Sequence, residues 1–253
     1  ERVIAPLGLR LDRASPAVDA RLPDGSRLHA LIPPAAVGGP VLAVRRFADT
    51  VTDLAALVES GSIDHGGAET LRSLVCDSAS LLVAGPTGSG KTTLLNVLSR
   101  EIPADERVVS VEDAAELRLG GHVVRLEGRP PNSEGAGGIA VRDLLRHALR
   151  LRPDRIIVGE VRGAEAFDML QAMSTGHEGS MSTIHASSAE EALWRLETLA
   201  LAADANVSEA SISRQVRSAV DAVVVVGRRA GRRVVRSIVK VDGNDLAEVY
   251  TCS

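Results

Sequence analysis

Residues Gly85-Pro86-Thr87-Gly88-Ser89-Gly90-Lys91-Thr92-Thr93 have the spacing G-x-x-x-x-G-K-[ST], between the apolar run Leu81-Leu82-Val83-Ala84 and a helix-like segment, Leu94 to Ser99. That spacing carries a mechanism when it joins a strand to a helix. The glycines let the backbone curl until successive N–H groups converge on phosphate oxygens, and the helix N-terminus adds partial positive charge. Lys91 would reach the β- and γ-phosphates, and the Thr92 hydroxyl would ligate Mg²⁺. The bland alternative is a Gly-rich turn with a coincidental Lys-Thr, and the agreement of spacing with context weighs against it. The expected ligand is a nucleoside triphosphate, with ATP and Mg²⁺ as the cofactors.

Two more apolar runs end in carboxylates. Val108 to Val111 leads into Glu112-Asp113 with Glu116 close behind, and Ile156 to Val158 leads into Gly159-Glu160. Carboxylates at the C-terminal ends of parallel strands lie at the ligand edge of a sheet. Glu112 is the candidate base that orients and deprotonates an attacking water, with Glu116 as the lesser candidate. Asp113 also suits an N-cap. Glu160 holds the position from which an acid binds Mg²⁺ through water, and Gly159 would leave room for the phosphates. The plain alternative is an exposed ion pair of Glu160 with Arg162, worth little.

The stretch from Thr175-Gly176-His177 to Thr183-Ile184-His185-Ala186 sets two histidines around a short strand. His185 at its end is placed to hydrogen-bond the γ-phosphate or the catalytic carboxylate and so to sense the nucleotide. A metal site is the rival reading, but no Cys or His partners lie at zinc spacing.

These groups need elements to hold them. Residues 17–22 and 26–32 alternate around Pro23-Asp24-Gly25, a hairpin signal, and Val41 to Val44 resumes an apolar strand. Residues 1–48 are expected to be the C-terminal part of a small α+β sheet domain, and 49–66 a linker. From 67 to 253 helices and strands alternate. Helices are expected over 68–76, 141–151, 164–173, 189–201 and 209–220, and strands over 107–111, 122–126, 155–158, 180–184 and 222–226, with a last hairpin near Ala230-Gly231. That alternation predicts an α/β domain with a largely parallel sheet covered on both faces.

Composition excludes little. The 253 residues are 45% hydrophobic and 25% charged, with a net charge of −4, as in ordinary globular proteins. No apolar run nears the ~18 residues of a membrane span. Two cysteines, Cys76 and Cys252, form no metal spacing or disulfide framework, which fits a reducing compartment. The chain opens at Glu1 inside what reads as folded sequence, so it is expected to be a fragment, without a signal peptide. Lys91 and Lys240 are the only lysines among 29 basic residues, so single arginines carry less functional weight than usual.

In order along the chain, Gly85 to Thr93, Val111-Glu112-Asp113, Gly159-Glu160-Val161-Arg162 and the segment from Thr175 to Ala186 resemble the Walker A, Asp-box, Walker B and His-box motifs of the type II/type IV secretion ATPases. Val124-Arg125-Leu126-Glu127, Arg129-Pro130-Pro131-Asn132 and Leu149 to Glu160 most resemble the tight-adherence (Flp) pilus assembly ATPases. The resemblance covers residues 40–227, and residues 1–40 match only loosely, as the end of the family's small N-terminal domain.

The resemblance implies a RecA-like P-loop domain, a homo-hexameric ring with nucleotide between two domains, and a cytoplasmic motor docked on an inner-membrane platform protein. It implies nucleotide contact for Arg45, and γ-phosphate or neighbour-subunit contact for Arg146 and Arg150, which at four residues apart would share one helix face. Arg125 and Arg129 are further candidates. A nucleic-acid motor is the alternative from another class, since ring helicases share the phosphate loop and the hairpin Arg228-Arg229-Ala230-Gly231-Arg232-Arg233 is basic. Aromatic stacking platforms are nearly absent, so no nucleic-acid partner is expected. A nucleotide-gated assembly switch is the third reading.

Overall fold

A computed structural model describes residues 4, 6, 9–46, 51, 53–129, 131, 136–203 and 206–252. Phe47, residues 48–50 of the domain junction, Pro130 and Asn132 lie outside the described residues. The chain divides into two units, residues 1–50 with 131–138, and residues 51–130 with 139–253.

In the first unit, strands β1 (Ala17–Arg21), β2 (Arg27–Leu31) and β3 (Val41–Arg45) form an antiparallel sheet in that order. The Pro23-Asp24-Gly25 turn forms as its residues dictate. Gly25 takes φ +84, the Leu22 N–H donates to Ser26 O at 2.9 Å, and Asp24 Oδ1 accepts from the Ser26 N–H at 2.9 Å. Alternation puts Leu28 and Ala30 of β2 in a small core with Val18, Ala20 and Leu22.

The second unit contains helices α1 (Leu54–Glu59), α2 (His65–Cys76), α3 (Lys91–Ser99), α4 (Val141–Ala148), α5 (Glu165–Met173), α6 (Ala189–Ala203) and α7 (Glu209–Ala219). Its strands are β4 (Leu81–Ala84), β5 (Arg107–Glu112), β6 (His122–Glu127), β7 (Arg155–Val158), β8 (Met181–Ile184), β9 (Ala222–Arg229), β10 (Arg232–Asp242) and β11 (Asp245–Thr251). They make one sheet, ordered β11-β10-β9-β4-β8-β7-β5-β6. Pairing is parallel from β9 through β6 and antiparallel for β10 and β11. Strand β4 shows why the apolar runs are continuous. Leu82 and Ala84 enter the core on one face, Leu81 and Val83 the core on the other, so both sets of side chains leave water.

Residues 54–66 carry the amphipathic segment: Asp53 caps α1 by accepting from the Ala56 N–H, and Leu54, Leu57 and Ile63 are buried in the second unit. Gly67, inside α2, is there for space, because a Cβ would stand 2.6 Å from the Tyr250 ring. Helix α4 stops at Ala148 and tightens into a 3-10 turn over Leu149–Leu151, ahead of Pro153, which cannot continue a helix. The last strand, β11, has no clear sequence signal, because it is an edge strand with mostly exposed side chains and a weak hydrophobic pattern.

Arg155 opens β7 with 1% of its surface exposed. Its guanidinium donates to Val75 O at 2.7 Å, to Ser78 Oγ at 3.2 Å and to the Glu106 carboxylate, tying the end of α2 to the base of the sheet. This end of β7 is opposite the edge that carries the motifs.

Candidate nucleotide site

Because β4, β8, β7 and β5 run parallel and adjacent, their C-terminal ends share one edge. Ala84 leads into the Gly85–Gly90 loop, Ile184 into His185, Val158 into Gly159-Glu160, and β5 ends on Glu112. Four motifs separated by up to a hundred residues therefore meet.

The loop is closed by its glycines. Gly88 (φ +71) and Gly90 (φ +104) adopt the left-handed conformation, and Gly90 is the N-cap of α3. At Gly85 a Cβ would stand 2.6 Å from both Ser89 Oγ and Val226 O, so only hydrogen fits. Ser89 Oγ is buried without a hydrogen-bond partner among the described residues. A buried orphan hydroxyl inside a glycine cradle at a helix N-terminus fits an anion bound there.

Lys91, 8% exposed, donates to Gly85 O at 2.9 Å and Pro86 O at 3.3 Å, and its Nζ lies 3.3 Å from His185 Nδ1. An ammonium only donates, so Nδ1 is the accepting nitrogen of His185, and Nε2 is left to face Glu160 Oε1, with which it makes an ion-pair contact. Burial lowers the Lys91 pKa from its ordinary value, against the Glu160 charge. Burial, then the Lys91 charge, lowers that of His185, in keeping with a neutral ring. The other Glu160 oxygen pairs with Arg162. The exposed ion pair weighed from sequence exists, but as one arm of a Lys91–His185–Glu160–Arg162 chain.

Glu112 is 4% exposed. Its Oε2 accepts from the backbone N–H groups of Glu116 and Leu117 at 2.7 and 2.8 Å. Its Oε1 is buried with no hydrogen-bond partner among the described residues, and Arg125 Nη2 stands 3.9 Å away. Burial raises the Glu112 pKa, opposed by the two N–H bonds and Arg125. One oxygen is fixed and the other bare, in a setting that favours holding a proton.

Gly159 makes this possible: a Cβ there would be 2.9 Å from Glu112 Cγ. The space it leaves is filled by Glu112, where the sequence reading gave it to phosphates. The Ser182 and Thr183 hydroxyls, which sequence did not single out, donate to Val158 O and Gly159 O at 3.0 and 2.7 Å and pin this strand end.

Thr92 and Thr93 are half-buried in the first turn of α3. Pro86 and Thr87 complete the loop, and Glu116 contributes to the site through its backbone. Arg146 donates to Asp168 Oδ1 at 3.0 Å beside Arg142, which donates to Oδ2 at 2.6 Å. Arg150 is exposed in the 3-10 turn, so the two arginines do not share one α-helical face. Arg45 ends β3 in the first unit, opposite Arg27. His177 caps the end of α5, its Nδ1 lying 3.2 Å from Ala172 O. Among the described residues no group of three His, Cys, Asp or Glu could hold a metal alone. That does not disfavour Mg²⁺, which beside phosphates uses few protein ligands.

Fold and loop together define an α/β phosphate-loop protein of RecA-like architecture. The comparisons narrow this: a family model described as type II/IV secretion system protein matches residues 2–252, and the chain belongs to that family. A "putative conjugal transfer protein" of Mycobacterium tuberculosis is 45% identical over 241 residues, covering 92% of this chain and 68% of its own length. The type IV secretion system protein PtlH of Bordetella pertussis is 40% identical over 254 residues, covering 89% of this chain and 74% of its own. Among solved structures, the VirB11 ATPase of the Brucella suis type IV secretion system, in complex with sulphate, aligns with a TM-score of 0.59 and 28% identity over 98% of this chain and 79% of that one. No helix among the described residues is long and apolar enough to cross a membrane.

Proposed function

We propose that this chain is a Mg²⁺-dependent ATPase that powers a pilus or secretion machine. The observation that carries it is the meeting of Lys91, His185, Glu160 and a half-anchored Glu112 at one sheet edge. The phosphate loop binds the phosphate chain through its N–H groups, and Lys91 exchanges its carbonyl partners for phosphate oxygens. Glu112 takes the proton of the attacking water at Oε1 while Oε2 stays fixed. His185 links Lys91 to Glu160, so loss of one contact is felt at the other. Thr92 and Glu160 would hold Mg²⁺, which when bound would supply positive charge against that developing on the phosphates.

The family resemblance supports a homo-hexameric ring in the full protein, cytoplasmic and docked on an inner-membrane platform protein, with Arg45, Arg146 and Arg150 as arginines that complete the site. For the machine served, residues 124–132 and 149–160 favour a Flp (tight-adherence) pilus. The names of the relatives favour conjugal or type IV secretion as the second reading. Pilin and platform genes beside this one would decide for the pilus. The activity itself is tested by Mg²⁺-dependent phosphate release: Glu112→Gln should bind ATP and release none, and wild-type turnover in that variant would sink the assignment of the base.

A further inference from the structure

Strand β9 lies parallel to β4 on the side away from β8, so its C-terminal end also arrives beside the phosphate loop. Val224 and Val226 of β9, and Val235 of β10, face the core shared with Leu94 and Leu95 of α3. Two residues nearer the turn on each strand, the same face carries Arg228 and Arg233. These two are direct cross-strand partners, joined by a two-residue turn in which Ala230 (φ 48) and Gly231 (φ 82) both take positive φ. Like charges set opposite each other on one face repel. Among the described residues neither arginine pairs with a carboxylate. Both are exposed and both lean on the loop: Arg233 Nε donates to Gly88 O at 3.0 Å, and Arg228 Nη2 would lie 3.6 Å from a Cβ on Gly88. In a trans peptide the C=O and the following N–H point in opposite directions. With Gly88 O accepting from Arg233, the Ser89 N–H of the same peptide points the other way and reaches Pro86 O at 3.3 Å.

We propose that Arg228 and Arg233 form a same-chain arginine pair of the nucleotide site: Arg233 positions the phosphate loop through Gly88 O, and Arg228 contacts the phosphate chain of a nucleoside di- or triphosphate. The proposal rests on the nucleotide-binding reading above and adds a wall to that site which none of the four motifs contains. Its anion is the one the loop already gathers, and the repulsion within the pair is relieved when that anion arrives. Because both residues come from the chain that carries Lys91, their effect does not require a neighbour.

The test is calorimetric titration of the full chain, at concentrations where it is monomeric, with ADP and with a non-hydrolysable ATP analogue. Arg228→Ala and Arg233→Ala should each weaken both ligands by a similar factor, about tenfold, the size of one charge-assisted phosphate contact. Their melting temperatures without ligand should not fall, since each change also removes the repulsion within the pair, and the loss of affinity should shrink at high salt for Arg228→Ala. Arg233→Lys, which keeps a cationic donor for Gly88 O, should retain more affinity than Arg233→Ala. Arg229→Ala, on the opposite face and donating to Cys252 O, should bind as wild type. Wild-type affinity in both alanine variants, while Lys91→Ala loses binding, would overturn this inference and leave the nucleotide site standing. Unchanged nucleotide affinity with lost binding to vesicles of anionic phospholipid would overturn it in favour of a membrane-facing hairpin. A wild-type chain that binds neither nucleotide would overturn both readings.

Discussion

Replacing Gly159 by Ala places a methyl carbon 2.9 Å from Glu112 Cγ and 3.4 Å from its Oε2. Gly159 does not have a left-handed φ, so the backbone accepts Ala and the methyl alone acts. Carbons pack at about 3.5–4.0 Å, so Glu112 must retreat by roughly 0.6–1 Å. Its freedom is small, because Oε2 is held at 2.7 and 2.8 Å by two backbone N–H groups. The overpacking should cost about 1–3 kcal/mol of stability. A displacement near 1 Å of the group that faces the attacking water should lower turnover on the order of 10²-fold. The phosphate loop is untouched, so ADP affinity should hold. Thermal melting, calorimetric ADP titration and phosphate release measure the three quantities separately. A double-mutant cycle isolates the cause. With Glu112→Ala in place the methyl has room, so Gly159→Ala should then cost little, leaving a coupling energy of about 1–2 kcal/mol. Wild-type turnover and melting in Gly159→Ala, or a cost that persists beside Glu112→Ala, would refute the view that Gly159 exists to seat Glu112.

Lys91→Ala should abolish hydrolysis and sharply weaken nucleotide binding, since the cation facing the phosphates is gone; near-normal phosphate release would contradict the assignment of the loop. Glu112→Gln should raise the melting temperature at pH 8. A raised carboxyl pKa means the folded state holds the proton more tightly than the unfolded one. The ionised side chain is therefore a cost, complete above the folded pKa and absent below the unfolded value. The gain should close as pH falls through the folded pKa, and a gain that widens on acidification would reverse the sign. By the same shift, the acid limb of wild-type kcat/KM should lie above the ordinary carboxylate range near ~4.3, as read from a pH–rate profile. Arg155→Ala should destabilise by about 1–3 kcal/mol, the cost of leaving acceptors such as Val75 O without their donor, with ADP affinity retained in the folded fraction; a denaturant melt showing under about 1 kcal/mol would discount the tie, that being the usual worth of an exposed pair.

Local chemistry made much of this protein legible in one dimension. The phosphate loop needs its glycines at fixed offsets whatever surrounds it, and a short continuous apolar run such as Leu81–Ala84, bounded by turn residues, reads as a strand buried on both faces. The Asp24-Gly25 turn is set by its own residues. Strands that end in Glu112, Glu160 and His185 announce an edge once the sheet is parallel.

Sequence could not say which atoms meet across that edge, because strand order is settled by packing between elements far apart in the chain. Placing β8 between β4 and β7 brings His185 between Lys91 and Glu160. The register of β5 beside β7 sets Glu112 against Gly159, so a glycine that reads as space for a ligand is space for a side chain. Helix periodicity carried α4 past Ala148 because the 3.6-residue repeat does not record where a helix tightens into a 3-10 turn. The hairpin arginines read as a basic run facing any anion. Only the adjacency of β9 to β4 turns that run toward Gly88. Residue types fixed the chemistry available, and the order and register of the strands decided which groups perform it together.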